Sequence, residues 1–337
     1  MQFRTRAATG ALAALSLVTL AGCGDDPQAG SGGDGGGSSY GAVIKGLDNP
    51  FFQQMEQGIE AQAKQDTVGV EVQAAQSVTD TSGQADKLDA MAQQGYDCYV
   101  VNPISGTNLV QGLARIAAEG TPVVNIDSPV EAEAASKADL KINTYIGTDN
   151  TEAGGKAGDT MVEALGGSGD VALIGGISGD VTSGARLDGF TQSVEGKLTV
   201  VQTVSADWDR QIALTKATDI LSANPDIKGF FSANDDMALG IARAVANAGK
   251  AGEITIIGVD GIEDALKAVE SGDLYATVAQ YPYAIGRMGV QACKLATEGG
   301  DLPENVTAPT AVVTKDNAGD ALAKFPAPFE EFDNPLD

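Results

Sequence analysis

Short apolar, β-branched runs recur along the chain, each followed by a polar side chain and then by an amphipathic stretch. Strand-like runs fall near 41–46, 68–74, 97–102, 122–127, 170–175, 198–204, 229–233, 254–259 and 275–279. Helix-like stretches lie between them at 52–64, 81–94, 108–119, 151–165, 210–223, 237–248 and 262–271, with another at 285–296. Such alternation predicts parallel sheets covered by helices on both faces. Gly95, Gly120, Gly249 and Gly272 stand just past the predicted helix ends, as C-terminal stops should. One continuous sheet of so many strands would be unusual. The pattern therefore predicts two α/β units, divided around Gly147-Thr148-Asp149-Asn150 after a short strand at 145–146. Residues 308–314 read as one further strand, followed by a polar tail.

The polar residues after the runs repeat one position. Asn49 follows Ala42-Val43-Ile44, Asn102 follows Tyr99-Val100-Val101, and Asp127 closes Val123-Val124-Asn125-Ile126. In the second half Asn234 follows Phe230-Phe231, Asp260 follows Ile256-Ile257-Gly258-Val259, and Gln280 follows Ala276-Thr277-Val278. Ligands of parallel sheets bind at the carboxyl ends of the strands. Single polar side chains at that edge in both halves point to two lobes closing on one small polyhydroxylated molecule.

A monosaccharide has apolar C–H faces and a rim of hydroxyls that both donate and accept, so its pocket calls for aromatic plates and planar polar partners. Asn49-Pro50-Phe51-Phe52 offers an amide and two rings, and Asp207-Trp208-Asp209-Arg210 holds the only tryptophan. On residue type alone Phe51, Phe52 and Trp208 serve equally as plates or as packing. Asp127 and Asp260 serve equally as ligand groups or as helix N-caps.

Composition narrows the classes. A hydrophobic fraction of 43% with 20% charged residues describes a folded globular chain. The net charge of −25 repels phosphate backbones and anionic lipid surfaces, which disfavours nucleic-acid binding. The chain has no histidine, which removes Ser-His-Asp and Cys-His catalysis and every His-based metal site. No metal, no cofactor and no enzymatic activity are expected.

Arg4 and Arg6, an apolar run at 7–20 and Leu20-Ala21-Gly22-Cys23 form a secretory signal over 1–22. Leu-Ala-Gly-Cys resembles the lipobox of bacterial lipoproteins, which implies lipidation of Cys23. Residues 23–39, almost all Gly, Ser and Asp after the cysteine, read as a flexible tether. The expected location is extracytoplasmic, anchored to the bacterial cell membrane by one lipidated end. Cys98 falls in a strand and Cys293 in a helical stretch. Spacing cannot show whether they meet, and two buried free thiols are the expectation, with a bridge as the alternative.

Two glycine motifs fail as nucleotide sites. Gly154-Gly155-Lys156-Ala157 has alanine where a phosphate loop needs Ser or Thr for magnesium. Gly175-Gly176-Ile177-Ser178-Gly179 lacks the full dinucleotide fingerprint, and no clear helix is expected directly after it. No EF-hand ladder is present.

The ordered set of motifs resembles the ribose- and allose-type periplasmic sugar-binding proteins, the substrate-binding components of ATP-driven sugar importers, over residues 40–315. It is carried by Leu47-Asp48-Asn49-Pro50-Phe51-Phe52, Asn102-Pro103, Asn125-Ile126-Asp127, Arg186-Leu187-Asp188-Gly189-Phe190 and Ala206-Asp207-Trp208-Asp209-Arg210. Ala233-Asn234-Asp235-Asp236-Met237-Ala238-Leu239-Gly240, Gly258-Val259-Asp260-Gly261 and Ala276-Thr277-Val278-Ala279-Gln280 complete it. The resemblance implies the type I periplasmic binding protein fold, α/β with two doubly wound parallel-sheet lobes joined by a three-strand hinge. The crossings would fall near 147–148, 280–281 and 309–310. The first lobe would then comprise 40–147 with 281–309, the second 148–280 with 310–325, and the tail 326–337. Asn49, Phe51, Phe52, Asn102 and Asp127 would face the sugar from the first lobe. Arg186, Trp208, Asn234, Asp260 and Gln280 would face it from the second lobe and hinge. The implied partners are a monosaccharide and the transmembrane subunits of an ABC permease, with the protein acting as a monomer.

One departure matters. Ribose binders carry an arginine directly after the aspartate equivalent to Asp127, and this chain has Ser128. Losing a five-donor fork changes which hydroxyls can be fixed. An aldohexose such as allose, another pentose, or a polyol such as inositol is therefore as compatible as ribose. The segments at 206–210 and 234–249 look closer to the allose type. Two other roles for the same chain are a sugar-sensing lipoprotein that signals to a receptor and a hydrolase using Asp207 and Asp209.

Overall fold

The computed structural model describes residues 37–337; the signal, Cys23 and most of the tether lie outside the described residues. The first half alternates β1 (Ser39–Ile44), α1 (Pro50–Asp66), β2 (Gly69–Ala74), α2 (Thr81–Ala92), β3 (Cys98–Val101), α3 (Val110–Ala118), β4 (Val123–Ile126), α4 (Ala132–Lys137) and β5 (Thr144–Thr148). The second runs α5 (Asn150–Ala164), β6 (Asp170–Gly175), α6 (Val181–Val194), β7 (Thr199–Ser205), α7 (Arg210–Ala223), β8 (Gly229–Ser232), α8 (Asp235–Asn247), β9 (Thr255–Asp260), α9 (Glu263–Ser271) and β10 (Ala276–Ala279). The chain finishes with α10 (Pro282–Thr297), β11 (Asn305–Ala308), β12 (Ala311–Thr314) and α11 (Ala318–Lys324).

These strands form two sheets, ordered β11-β5-β4-β3-β1-β2 and β12-β10-β9-β8-β6-β7. The order is the same in both once each strand is matched to its counterpart. β3, β4, β8 and β10 are buried along their whole length, as apolar strands covered on both faces must be. β7, at a sheet edge, alternates between exposed and half-buried positions. In the second lobe Phe190 and Phe231 stack at 4.4 Å between the sheet and α6.

Each half completes the other. After β5 the chain leaves the first sheet, and α5 packs on α6, β8, β9 and β10 of the second. After β10 it returns, and α10 packs on α1, β3, β4 and β5. Both helix pairs close through glycine. A Cβ on Gly58 or Gly286 would overlap backbone of the facing helix, Tyr283 and Met55 respectively. Gly154 and Gly189 do the same against Arg186 and Thr151. The glycines that imitate a phosphate loop are therefore close-packing positions.

The third crossing corrects the single strand expected over 308–314. β11 and β12 are separate strands in different sheets, divided at Pro309 and Thr310. β11 is parallel to β5, whereas β12 is antiparallel to β10. The two sheets point their carboxyl ends at each other, so a chain running straight through must reverse its sense relative to the second. That antiparallel pair is the one departure from parallel sheets.

Two more expectations change. The glycine motif at 175–179 is followed at once by α6, whose N-cap Asp180 accepts from the Ser183 amide at 2.8 Å. Its inner face, Ser183, Arg186, Gly189, Phe190 and Val194, is too polar and too small to register as an apolar stripe. Cys98 and Cys293 are not free thiols but a disulfide, with Cα atoms 5.7 Å apart. It fastens α10 to the central strand β3 within one lobe. The segment at 326–337 also carries apolar anchors: Phe329 and Phe332 pack on the core, Leu336 is buried, and Asn334 donates to Gln291 of α10 at 3.1 Å.

Candidate binding site

Facing strand ends enclose a cavity of about 490 Å³, counted to its mouth, within the size range of small-molecule sites. Asn49, Phe51, Phe52, Asp127, Arg186, Trp208, Asn234 and Asp260 all line it. Asn102 and Gln280 do not reach the wall. They stand behind it, fully buried, each with an amide oxygen that has no partner.

In the first lobe Asn49 caps α1, its Oδ1 accepting from the Phe51 amide at 3.0 Å. The cap commits the oxygen and leaves the Nδ2 donors uncommitted. Phe51 and Phe52 meet edge to face at 5.2 Å and belong to both the core and the cavity wall, so plate and packing are one role here. Asp127 is not a helix cap. It ends β4 in the left-handed region, φ 60°, a conformation that non-glycine residues adopt where the surroundings impose it. Those surroundings are Tyr145, whose hydroxyl donates to the Asp127 carbonyl at 2.6 Å, and Asn125, whose amide spans the same turn from Val101 to Val130.

The second lobe repeats the device. Asn234 caps α8 through the Met237 amide at 2.9 Å. Asp260 ends β9 at φ 132° and is likewise no cap. Its loop is held by buried Asp235, which accepts from the amides of Gly261 at 2.6 Å and Ile262 at 3.1 Å and from Thr277 Oγ1 at 2.7 Å. Arg186 donates to the Ala233 carbonyl at 2.7 Å, to Asn150 Oδ1 at 2.8 Å and to Asp260 Oδ1 at 3.3 Å. Gln280 donates to the same Asp260 oxygen at 2.7 Å. Trp208 enters the cavity because it and Asp207 are both left-handed, φ 63° and 53°. Gly176 clears its seat, since a Cβ there would overlap the indole.

Several wall residues escaped the sequence reading: Lys45, Val78, Ile104, Ile177 and Thr182, with Ser128 noticed only as a departure. Lys45 directly follows Ala42-Val43-Ile44, so the strand-end rule that found Asn49 also covered it. Its Nζ donates to Ser128 Oγ at 2.7 Å and lies 5.5 Å from the Phe52 ring. A buried ammonium thus occupies ground beside the residue where ribose binders place a guanidinium.

Burial pushes the carboxyls of Asp127 and Asp260 upward, opposed by Lys45 and Arg186 for the first and by Arg186 for the second. Burial likewise raises Asp235 to about 6, against its hydrogen bonds. The folded state therefore holds protons that an unfolded chain, with a carboxyl near 3.8, would release. Native stability should increase as pH falls from about 6 toward 4, in the sense set by the raised Asp235. Thermal melts of the sugar-free protein across that range check the sign; a midpoint that fell steadily with acidification would contradict it.

Comparisons with known proteins agree with this geometry. A profile of the periplasmic binding protein domain matches residues 40–301. The chain is similar to the D-allose-binding periplasmic protein of Escherichia coli, 38% identical over 266 residues, 78% of this chain and 86% of that protein. It is 33% identical over 305 residues to the ribose import binding protein of Bacillus subtilis, covering 89% and 96% of the two chains. Among solved structures, a periplasmic solute-binding protein of an ABC transporter from Actinobacillus succinogenes, crystallised with D-allose, superposes with a TM-score of 0.80 at 30% identity. That match covers 84% of this chain and 99% of the other.

Proposed function

The chain belongs to the periplasmic binding protein family, and on that premise we propose that it binds one monosaccharide between its lobes and delivers it to an ABC permease. The observation that carries this is the wall itself. Free amide donors on Asn49 and Asn234, the cations Lys45 and Arg186, and the carboxylates Asp127 and Asp260 face aromatic plates across one cavity. Hydroxyls that donate to the carboxylates and accept from the amides would satisfy all of them together. Asn102 and Gln280 act from behind, fixing Asp127 and Asp260.

The lobes are 40–147 with 281–309 and 148–280 with 310–325, and they close as two rigid jaws on the hinge. Closure excludes water, so a sugar that lacks one matched hydroxyl strands a buried polar group at a cost of about 1–3 kcal/mol. Lys45 beside Ser128 gives a single point charge in place of an arginine fork, which favours an aldohexose of allose type over ribose. A hydrolytic role for Asp207 and Asp209 has no support: Asp209 caps α7 through the Ile212 amide at 2.7 Å, and Asp207 is exposed outside the cavity wall. Binding without chemistry fits the site. The protein works outside the cytoplasm as a monomer, held to the membrane by lipid on Cys23.

A thermal-shift screen over pentoses, hexoses, inositols and sugar alcohols tests the proposal. The correct sugar at a hundred times its dissociation constant should stabilise the fold by about 2.7 kcal/mol. It should also change the emission of Trp208, the sole tryptophan, saturably. A screen in which no sugar or polyol moves either signal would refute the reading.

A further inference from the structure

We infer that Thr182 is a specificity-determining residue that takes the terminal hydroxyl of a six-carbon sugar, an inference that rests on the cavity being a monosaccharide site. Thr182 lines the cavity, yet its Oγ1 is out of reach of solvent and has no hydrogen-bond partner. A buried hydroxyl without a partner is destabilising until something supplies one. Its neighbours do not need it. Asp180 caps α6 through Ser183, and Ser183 Oγ accepts from the Gly176 amide at 2.9 Å.

Position says what arrives there. A second hollow of about 1020 Å³ adjoins the cavity, and Ile104, Ser128 and Ile177 line both. Val181, one residue before Thr182, lines the outer hollow and is 57% exposed. Thr182 therefore stands where the cavity opens into a vestibule. The wall at that passage is apolar, formed by Ile104 and Ile177, and Ser128 Oγ is already engaged by Lys45. A substituent reaching from a sugar ring toward the vestibule meets hydrocarbon along its length and one hydroxyl at its tip. That is the shape of an exocyclic hydroxymethyl arm, a methylene ending in a hydroxyl. A pentopyranose has no such arm and would leave Thr182 unpaired in the closed state.

The test titrates D-allose, 6-deoxy-D-allose and D-ribose into the wild type and into Thr182→Val and Thr182→Ser, following Trp208 emission and heat. Valine keeps the shape of threonine without its hydroxyl; serine keeps the hydroxyl. In the wild type, allose should bind about five- to tenfold tighter than its 6-deoxy analogue, the range of one net hydrogen bond. Thr182→Val should bring that ratio to about one while ribose binds as well as before or better, and Thr182→Ser should restore the ratio. A ratio unchanged in Thr182→Val overturns the inference and leaves the sugar site standing. Failure of the wild type to bind allose or ribose would bring down the reading of the site, and this inference with it.

Discussion

Arg186→Met should abolish sugar binding and reduce the stability of the sugar-free protein by about 3–5 kcal/mol at neutral pH, the range for removing one partner of a buried ion pair. The guanidinium is 4% exposed and joins four parts of the second lobe: the Ala233 carbonyl, Asn150, Asp260 and the Trp208 ring, 5.8 Å away. Methionine fills much of its volume and supplies none of its donors. Asp260 is then left buried without its cation, and its carboxyl, already raised by burial, moves higher still. The folded variant would hold that proton more tightly than the unfolded chain does. Its deficit relative to wild type should therefore shrink as pH falls, which denaturant melts at several pH values would show. Wild-type affinity in Arg186→Met, or a deficit that grows on acidification, would remove Arg186 from the centre of the site.

The second large effect separates stability from binding. Joint replacement of Cys98 and Cys293 by alanine should reduce unfolding free energy by on the order of 3–5 kcal/mol. The bridge closes a loop of 195 residues, and the loss of chain entropy imposed on the unfolded state grows with loop length. Both cysteines are buried in the first lobe, away from the cavity wall, so affinity should change less than twofold. Equilibrium urea curves and a sugar titration on the double variant give both numbers. An unchanged unfolding midpoint, or a lost sugar response, would contradict this separation.

Much of the fold was legible because parallel strands buried on both faces leave little room for polar residues until they end. Asp127 and Asp260 could be picked out for that reason, and the helix read at 210–223 coincides with α7. The stops at Gly95, Gly120, Gly249 and Gly272 all adopt positive φ, the conformation that makes glycine the residue of choice there. What stayed hidden was hidden by the site itself. α6 turns a buried arginine and a serine inward, so its core face has no apolar stripe. Lys45 reads as a solvated charge until the structure sets it against Ser128 and Phe52. The strand expected at 308–314 belongs to two sheets because the hinge passes through it, a fact of topology that no local propensity records. The pairing of Cys98 with Cys293 depends on α10 returning to the first sheet, which spacing alone cannot express.

The reciprocal packing of α5 and α10 also bears on what counts as a unit of this protein. A break near residue 149 would separate two fragments of matching strand order, each stripped of the helix that roofs its central strands. The apolar faces of β3 to β5 and of β8 to β10 would then lie bare. Neither fragment is an independent module, despite the tidy division that the sequence suggests. The molecule is better pictured as clasped hands than as beads on a string: what holds each palm together is a finger from the other.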